Sequence, residues 1–197
     1  MEMIRTFVAI ELDQEALDWL KGVQERLKAD IPQGFVRWVD PKGIHLTLKF
    51  LGEVPQGKIK AIEEVLKGVG QRHRPFSFTY GGLGCFPSYS HPNVIWVGVE
   101  EKTGALLALQ KDVERSLAKL GFKPEDRPFS PHLTLGRVGK GLSGAERRRL
   151  GEYIKAGGVG RGGEFLVKAI SLMKSDLFPT GAVYTRLALF PLGGSVK

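Results

Sequence analysis

The tetrapeptide His-Leu-Thr-Leu occurs twice, at His45–Leu48 and at His132–Leu135, once in each half of a 197-residue chain that has only four histidines. Both copies sit in stretches rich in β-branched and aliphatic residues, "GIHLTLKFLGEV" and "SPHLTLGRV", and so read as strands. A strand turns alternate side chains to opposite faces. His45 and Thr47 therefore share one face and Leu46 and Leu48 the other, and the same holds for His132 and Thr134 against Leu133 and Leu135. A strand that commits its leucines to a core commits its His-Thr face to whatever lies opposite. Two such strands predict two lobes with a cleft between their polar faces.

The flanking pattern repeats as well. "RTFVAIEL" reads as a strand, followed by a helix from the N-cap Asp13 whose stripe is Leu17, Leu20, Val23 or Gln24, and Leu27. "FVRWV" and the first tetrapeptide strand come next, then a helix carrying Ile59, Ile62, Leu66 and Val69, then the strand "FSFTYGGL". The segment "GGLGCFPSYSHPN" reads as a long loop and marks a boundary near residue 90. After it come the strand "NVIWVGVE", a helix capped by Thr103 and stopped at Gly121, the second tetrapeptide strand, and a helix opened by the capping box Ser143–Glu146. "GGVGRGG" reads as a flexible flap near the cleft, and the runs on either side of Pro179-Thr180-Gly181 as a terminal hairpin. The expected fold is α+β: one bilobal, pseudo-symmetric domain over 1–197, with halves 1–90 and 91–197, possible strand exchange between lobes, and in each lobe a mainly antiparallel sheet with flanking helices.

Two imidazoles facing one cleft suit proton relay. Their ordinary pKa lies near neutrality, so one can start neutral as a base while the other starts protonated as an acid. Thr47 and Thr134 offer hydroxyl donors to charge that builds on an oxygen. Strict alternation puts Arg137 on the wrong face, unless a bulge near Gly136 turns its guanidinium back toward the same anion. The reaction suited to this set is in-line displacement at phosphorus without a metal or other cofactor. Lys49, Arg127 and Arg161 join Arg137 as candidate substrate-binding cations. A duplicated His-Thr hydrogen bond with a purely structural role is the competing reading.

With 29 basic and 21 acidic residues the net charge is +8, which favours a polyanionic partner. Cys85, the single cysteine, excludes an intramolecular disulfide and points to a reducing cytoplasm; no apolar run has the length of a membrane span. His73 in "QRHRP" and His91 in "SHPN" read as surface residues, and no HxH or HxxxH spacing suggests zinc. Cys85 lacks a basic neighbour to activate it, and the glycines at 157–163 lack the lysine of a P-loop.

The blocks "RTFVAIEL", "VRWVDPKGIHLTLKFLGEV", "GCFPS", "RPFSPHLTLGRV" and "SDLFPTGAVYTRLALFPL" together resemble the RNA 2',3'-cyclic phosphodiesterases, also called 2'-5' RNA ligases, of the 2H phosphoesterase superfamily with its paired HxTx motifs. The resemblance implies hydrolysis of an RNA terminal 2',3'-cyclic phosphate to a 2'-phosphate, with reversible 2'-5' ligation in some members. It implies His45 as proton donor to the leaving 3'-oxygen, His132 as the acceptor that activates water, and Thr47, Thr134 and Arg137 as phosphate-binding groups. RNA with cyclic-phosphate or 2'-5' linked ends, tRNA halves included, is then the expected partner. The residues alone leave open which histidine is acid. They also leave two rival functions: a non-catalytic module that holds RNA ends, and a phosphodiesterase for a small cyclic nucleotide or an ADP-ribose cyclic phosphate.

Overall fold

The computed structural model describes residues 2–193. Nine strands and four helices follow in the order β1 (Met3–Glu11), α1 (Gln14–Asp30), β2 (Val36–Trp38), β3 (His45–Pro55), α2 (Ile59–Arg72), β4 (Phe76–Phe86), β5 (Val94–Glu100), α3 (Ala105–Ala118), β6 (His132–Val138), α4 (Gly144–Ala156), β7 (Arg161–Val167), β8 (Ala169–Phe178) and β9 (Gly181–Pro191). All pairings are antiparallel, and the strands form one curled sheet in the order β7-β4-β5-β6-β3-β1-β8-β9, with β2 added to β6. The two expected sheets are thus continuous. They meet where β3 and β6 pair, at Leu46 and Leu133.

The chain halves do not coincide with the two ends of this sheet. β4 of the first half pairs with β5 and β7 of the second, and β8 and β9 of the second extend the sheet beyond β1 of the first. The helices cross over too: α3 packs on β3 and α2, while α1 packs on β7 and α4 on β4. Leu20, Val23 and Leu27 of α1, Ile62, Leu66 and Val69 of α2, and Leu109, Val113 and Leu117 of α3 are buried beneath the sheet with Val8, Ile10, Leu46, Leu48, Leu133 and Leu135. Burying one such side chain is worth about 1.5–3 kcal/mol relative to exposing it, so the leucines of both tetrapeptides fix which face of each strand is left for the cleft.

Several boundaries differ from the pattern. The "GGLGC" stretch, read as loop, continues β4 as far as Phe86, so the turn before β5 is shorter. Gly84 there serves packing: the Trp96 indole lies against its Cα, and any side chain at this position would run into the ring. Arg161–Gly163 of the supposed flap belong to β7 and pair with β4. At the start of α3 the Thr103 hydroxyl accepts the Ala105 N–H at 3.4 Å, the Glu101 carboxylate takes the Thr103 and Leu106 N–H groups, and Gly104 holds the N-cap position with φ 84°. The Ser143–Glu146 capping box and the hairpin about Pro179-Thr180 stand as expected. His73 ends α2 and is half-buried rather than freely solvated. With Arg72, Arg115 and Ser116 it donates to Asp112, tying the end of α2 to α3. Among the described residues no helix is long and apolar enough to cross a membrane.

Each tetrapeptide strand carries a bulge at its second leucine. Opposite β1, Lys49 pairs with Val8 and Thr47 with Ala9, so Leu48 is the extra residue; opposite β5, Gly136 pairs with Ile95 and Thr134 with Trp96, so Leu135 is extra. An extra residue leaves its backbone groups outside the ladder. Buried glutamines supply the partners: Gln24 Nε2 of α1 donates to the Leu135 carbonyl and to that of Val39, both at 2.8 Å, and Gln110 Nε2 of α3 donates to the Leu48 carbonyl at 3.5 Å. Each helix thereby supports the tetrapeptide strand of the other half.

Two outcomes follow. Gln24→Leu removes a fully buried donor from two carbonyls, and chemical denaturation will register a loss of about 1–3 kcal/mol, whereas Gln14→Leu on the exposed face of the same helix will change stability by less than about 0.5 kcal/mol. Burial alone would raise the Asp112 carboxyl, but hydrogen bonds from Arg72, His73, Arg115 and Ser116 outweigh it and hold it well below the usual carboxylate range. A carboxylate whose pKa is depressed by folding stabilises above its unfolded value, about 3.9, and loses that contribution as pH falls further. Thermal unfolding of Asp112→Asn will show a lower Tm than the parent at pH 7, with the gap closing toward pH 3.

Candidate active site

The bulges decide what faces the cleft. Past each extra leucine the alternation resets, so that Leu48 and Lys49 both turn to the helix side and Phe50 turns to the cleft; on β6, Leu135 and Gly136 turn inward and Arg137 turns out. The conditional expectation for Arg137 is met by the bulge at Leu135. The same device removes Lys49 from the site: it is 6% exposed, with Nζ 2.5 Å from Glu114 Oε2 and 2.9 Å from the Lys123 carbonyl. Gly136 is its counterpart on β6, and there Val36 and Trp38 of β2 occupy the space a side chain would need.

His45, Thr47, His132, Thr134 and Arg137 line one cleft of about 650 Å³. An antiparallel register centred on the Leu46–Leu133 pair sets His45 across from Thr134 and Thr47 across from His132. In a regular ladder the two histidines would then be diagonal neighbours about 7–8 Å apart, a separation that admits a phosphorus centre between them.

Both imidazoles are anchored alike. His45 Nδ1 lies 2.7 Å from the Gly43 carbonyl and His132 Nδ1 2.7 Å from the Ser130 carbonyl, in each case two residues upstream. A carbonyl only accepts, so Nδ1 carries the proton and Nε2 is left to the cleft as acceptor when neutral and donor when charged. Aromatic walls fix the rings: Phe7 stacks on His45 at 4.7 Å and Tyr184 meets its edge at 4.9 Å, while Phe86 stands edge-on to His132 at 5.0 Å. Trp96, seated on Gly84, backs Phe86.

Their electrostatic surroundings differ. Burial lowers the His45 pKa; the Gly43 carbonyl and the Glu11 carboxylate, whose residue pairs with His45 across β1 and β3, partly restore it, and a charge on His132 works against it. Burial also lowers His132, the Ser130 carbonyl opposes this, and the Arg137 guanidinium lowers it further. Glu11 is itself held by Ser171 Oγ and Arg186 Nε. His45 therefore has an anion that favours its protonated form, and His132 has a cation that favours its neutral form.

The remaining expected cations stand elsewhere. Arg161, on the edge strand β7, lines a separate groove with Tyr80, Glu100 and Glu164. Arg127 is exposed on the segment before β6 and does not line the cleft. Cys85 is buried and its thiol is pushed up by burial, which keeps it protonated and unreactive. Among the described residues no three His, Cys, Asp or Glu side chains group as a metal site. Conversely, the cleft includes Phe7, Phe50, Tyr184 and Arg37, and Glu11 acts on His45 from the neighbouring strand; the sequence singles out none of them. Position in "FVRWV" could have flagged Arg37, since alternation sets it opposite to the buried Val36.

The LigT like Phosphoesterase family model matches the chain twice, over residues 10–96 and 97–184. The RNA 2',3'-cyclic phosphodiesterase of Methanothermobacter thermautotrophicus is 36% identical over 189 residues, covering 96% of this chain and 99% of that protein. The protein of the same name from Aquifex aeolicus is 32% identical over 196 residues, 98% of this chain and its whole length. Among solved structures, TT0787 of Thermus thermophilus superposes with a TM-score of 0.80 at 27% identity, covering 98% of this chain and 100% of its own. E. coli LigT complexed with 3'-AMP superposes with 0.74 at 26% identity, covering 97% and 99%. Matched twice in tandem and along nearly its full length, the chain belongs to the LigT-like phosphoesterase family.

Proposed function

We propose that the chain hydrolyses the 2',3'-cyclic phosphate at an RNA end to a 2'-phosphate, with His45 as acid and His132 as base. The observation that carries this reading is the pair of Nδ1-anchored histidines turned to one cleft with opposite charges beside them. The name RNA 2',3'-cyclic phosphodiesterase, borne by relatives at 32–36% identity, supports the substrate.

In this mechanism neutral His132 accepts a proton from water through Nε2 as the water oxygen attacks phosphorus. The bond from phosphorus to the 3'-oxygen breaks on the opposite side, and His45 delivers its Nε2 proton to that oxygen. Thr47, Thr134 and Arg137 donate to the non-bridging oxygens, whose negative charge grows in the transition state. With a 5'-hydroxyl in place of water the same displacement yields a 2'-5' phosphodiester and a free 3'-hydroxyl, which accounts for ligation as a side of the same chemistry. Mutual repulsion between the two imidazolium charges keeps the doubly protonated state scarce, so the acid-base pair titrates as a coupled unit.

An oligonucleotide ending in a 2',3'-cyclic phosphate, incubated in excess chelator, will be converted to the 2'-phosphate. His45→Ala and His132→Ala will each lower kcat by about 10²–10⁴-fold. Binding without conversion by the parent would leave an RNA-end-binding module as the function, and preferential turnover of mononucleotides would leave the small-molecule phosphodiesterase.

The direction of proton transfer has its own test. Both free-enzyme titrations lie below the ordinary imidazole value, so kcat/KM will describe a bell with its maximum on the acid side of about pH 6.5. Glu11→Gln removes an anion that raises His45 and will bring the alkaline limb down. Arg137→Gln removes a cation that lowers His132 and will move the acid limb up. Each change narrows the bell if His45 is the acid, whereas each would broaden it if the roles were exchanged.

A further inference from the structure

The cleft has a side chamber, and two arginines stand where it opens. Arg37, Val39, Arg137, Gly181, Ala182 and Tyr184 line both the main cleft of about 650 Å³ and an adjoining recess of about 220 Å³, which is closed by the tip of the β8–β9 hairpin. Arg37 on β2 and Arg137 on β6 are direct cross-strand partners. Like charges set opposite one another in an antiparallel ladder oppose folding, so this arrangement costs stability unless something anionic lies between them. Among the described residues neither arginine has a carboxylate within ion-pair distance. Asp40, the acidic residue of the recess, accepts the Lys42 backbone N–H at 3.0 Å. Arg5, the third arginine of the cleft, is treated differently by the fold: its cross-strand partner is Glu53.

The feature is also one-sided. The two tetrapeptide strands, their bulges and their histidine anchors obey a common pattern, but the residue five places after the histidine is Arg137 on β6 and Phe50 on β3, and β2 pairs only with β6. A symmetric site for one phosphate does not require a second guanidinium on one side. We propose that Arg37, standing beside the Arg137 that serves the reacting phosphate, is the core of a subsite for a second phosphate, the phosphodiester on the 5' side of the nucleotide that carries the cyclic phosphate, with Arg137 bridging the two. Planar guanidinium groups suit bidentate donation to phosphodiester oxygens. The proposal rests on the reading of the cleft as an RNA-end site, and it deepens that reading: a nucleoside 2',3'-cyclic phosphate lacks the second phosphate, so the chain selects oligonucleotide ends over mononucleotides.

The test compares three substrates with 2',3'-cyclic phosphate ends: a dinucleotide, the same dinucleotide with an uncharged methylphosphonate linkage, and the mononucleotide. The parent will favour the charged dinucleotide over the other two by about tenfold in kcat/KM, as expected for one charge-assisted contact. Arg37→Ala will cost the charged dinucleotide about tenfold more than it costs the mononucleotide, and Arg37→Lys will recover part of the difference. Equal use of charged and methylphosphonate dinucleotides by the parent would overturn the subsite, as would an equal loss on all three substrates in Arg37→Ala. Calorimetric binding of the 2'-phosphorylated dinucleotide and of the nucleoside 2'-phosphate separates this proposal from the catalytic one. Tighter binding of the dinucleotide by the parent sustains the subsite even if no substrate turns over, and equal affinities overturn it even if all do.

Discussion

An extra residue in each of two strands governs the rest of the molecule. Without the bulges at Leu48 and Leu135, alternation would carry Lys49 and Gly136 into the cleft and bury Phe50 and Arg137 against the helices. With them, a guanidinium joins the His-Thr face of the cleft on one side and an aromatic ring on the other, while the His-Thr pairs upstream keep their place. The bulges in turn need partners for the carbonyls they displace, and those partners are Gln24 and Gln110, polar side chains on otherwise apolar helix stripes. The two carbonyls that Gln24 Nε2 caps fix one register, since a slip would leave them unpaired in the core.

The cleft shows how modest means create a polarised pair from two nearly identical histidines. The backbone anchors match, and burial lowers both rings. The difference comes from the next ring of residues, Glu11 beside His45 and Arg137 beside His132. Duplication supplies the scaffold twice; in the proposed mechanism a carboxylate on one side and a guanidinium on the other give it a direction.

The tetrapeptide pattern was legible because it used the strand period and residue chemistry together, and the helix stripes, the capping box and the terminal hairpin were legible for the same reason. The bulge on β3 was not, because Lys49 is an ordinary strand residue and only the pairing with Val8 reveals the extra position. Lys49 then read as a cleft cation, although Glu114 and the Lys123 carbonyl bury it. The glycines of "GGLGC" read as a loop because glycine usually breaks strands, whereas at Gly84 the missing side chain makes room for Trp96. The glutamines do leave a signal: Leu20, Val23, Gln24 and Leu27 recur as Leu106, Leu109, Gln110 and Val113. A glutamine kept at the same place on two apolar stripes marks a buried hydrogen bond shared by both halves.

The crossing of elements between halves has a consequence for how the activity comes into being. α1 supports the bulge of β6, α3 supports that of β3, and β4 and β8 each complete the sheet end that holds strands of the other half. A nascent chain that has finished only its first half holds His45 on a strand whose supporting glutamine has not yet been made. Most of the decisive contacts join residues far apart in sequence, and such contacts form late because their loops are costly to close. A cleft with both tetrapeptide strands supported is therefore a property of the whole fold, and the first half by itself presents His45 on a strand without its buried glutamine.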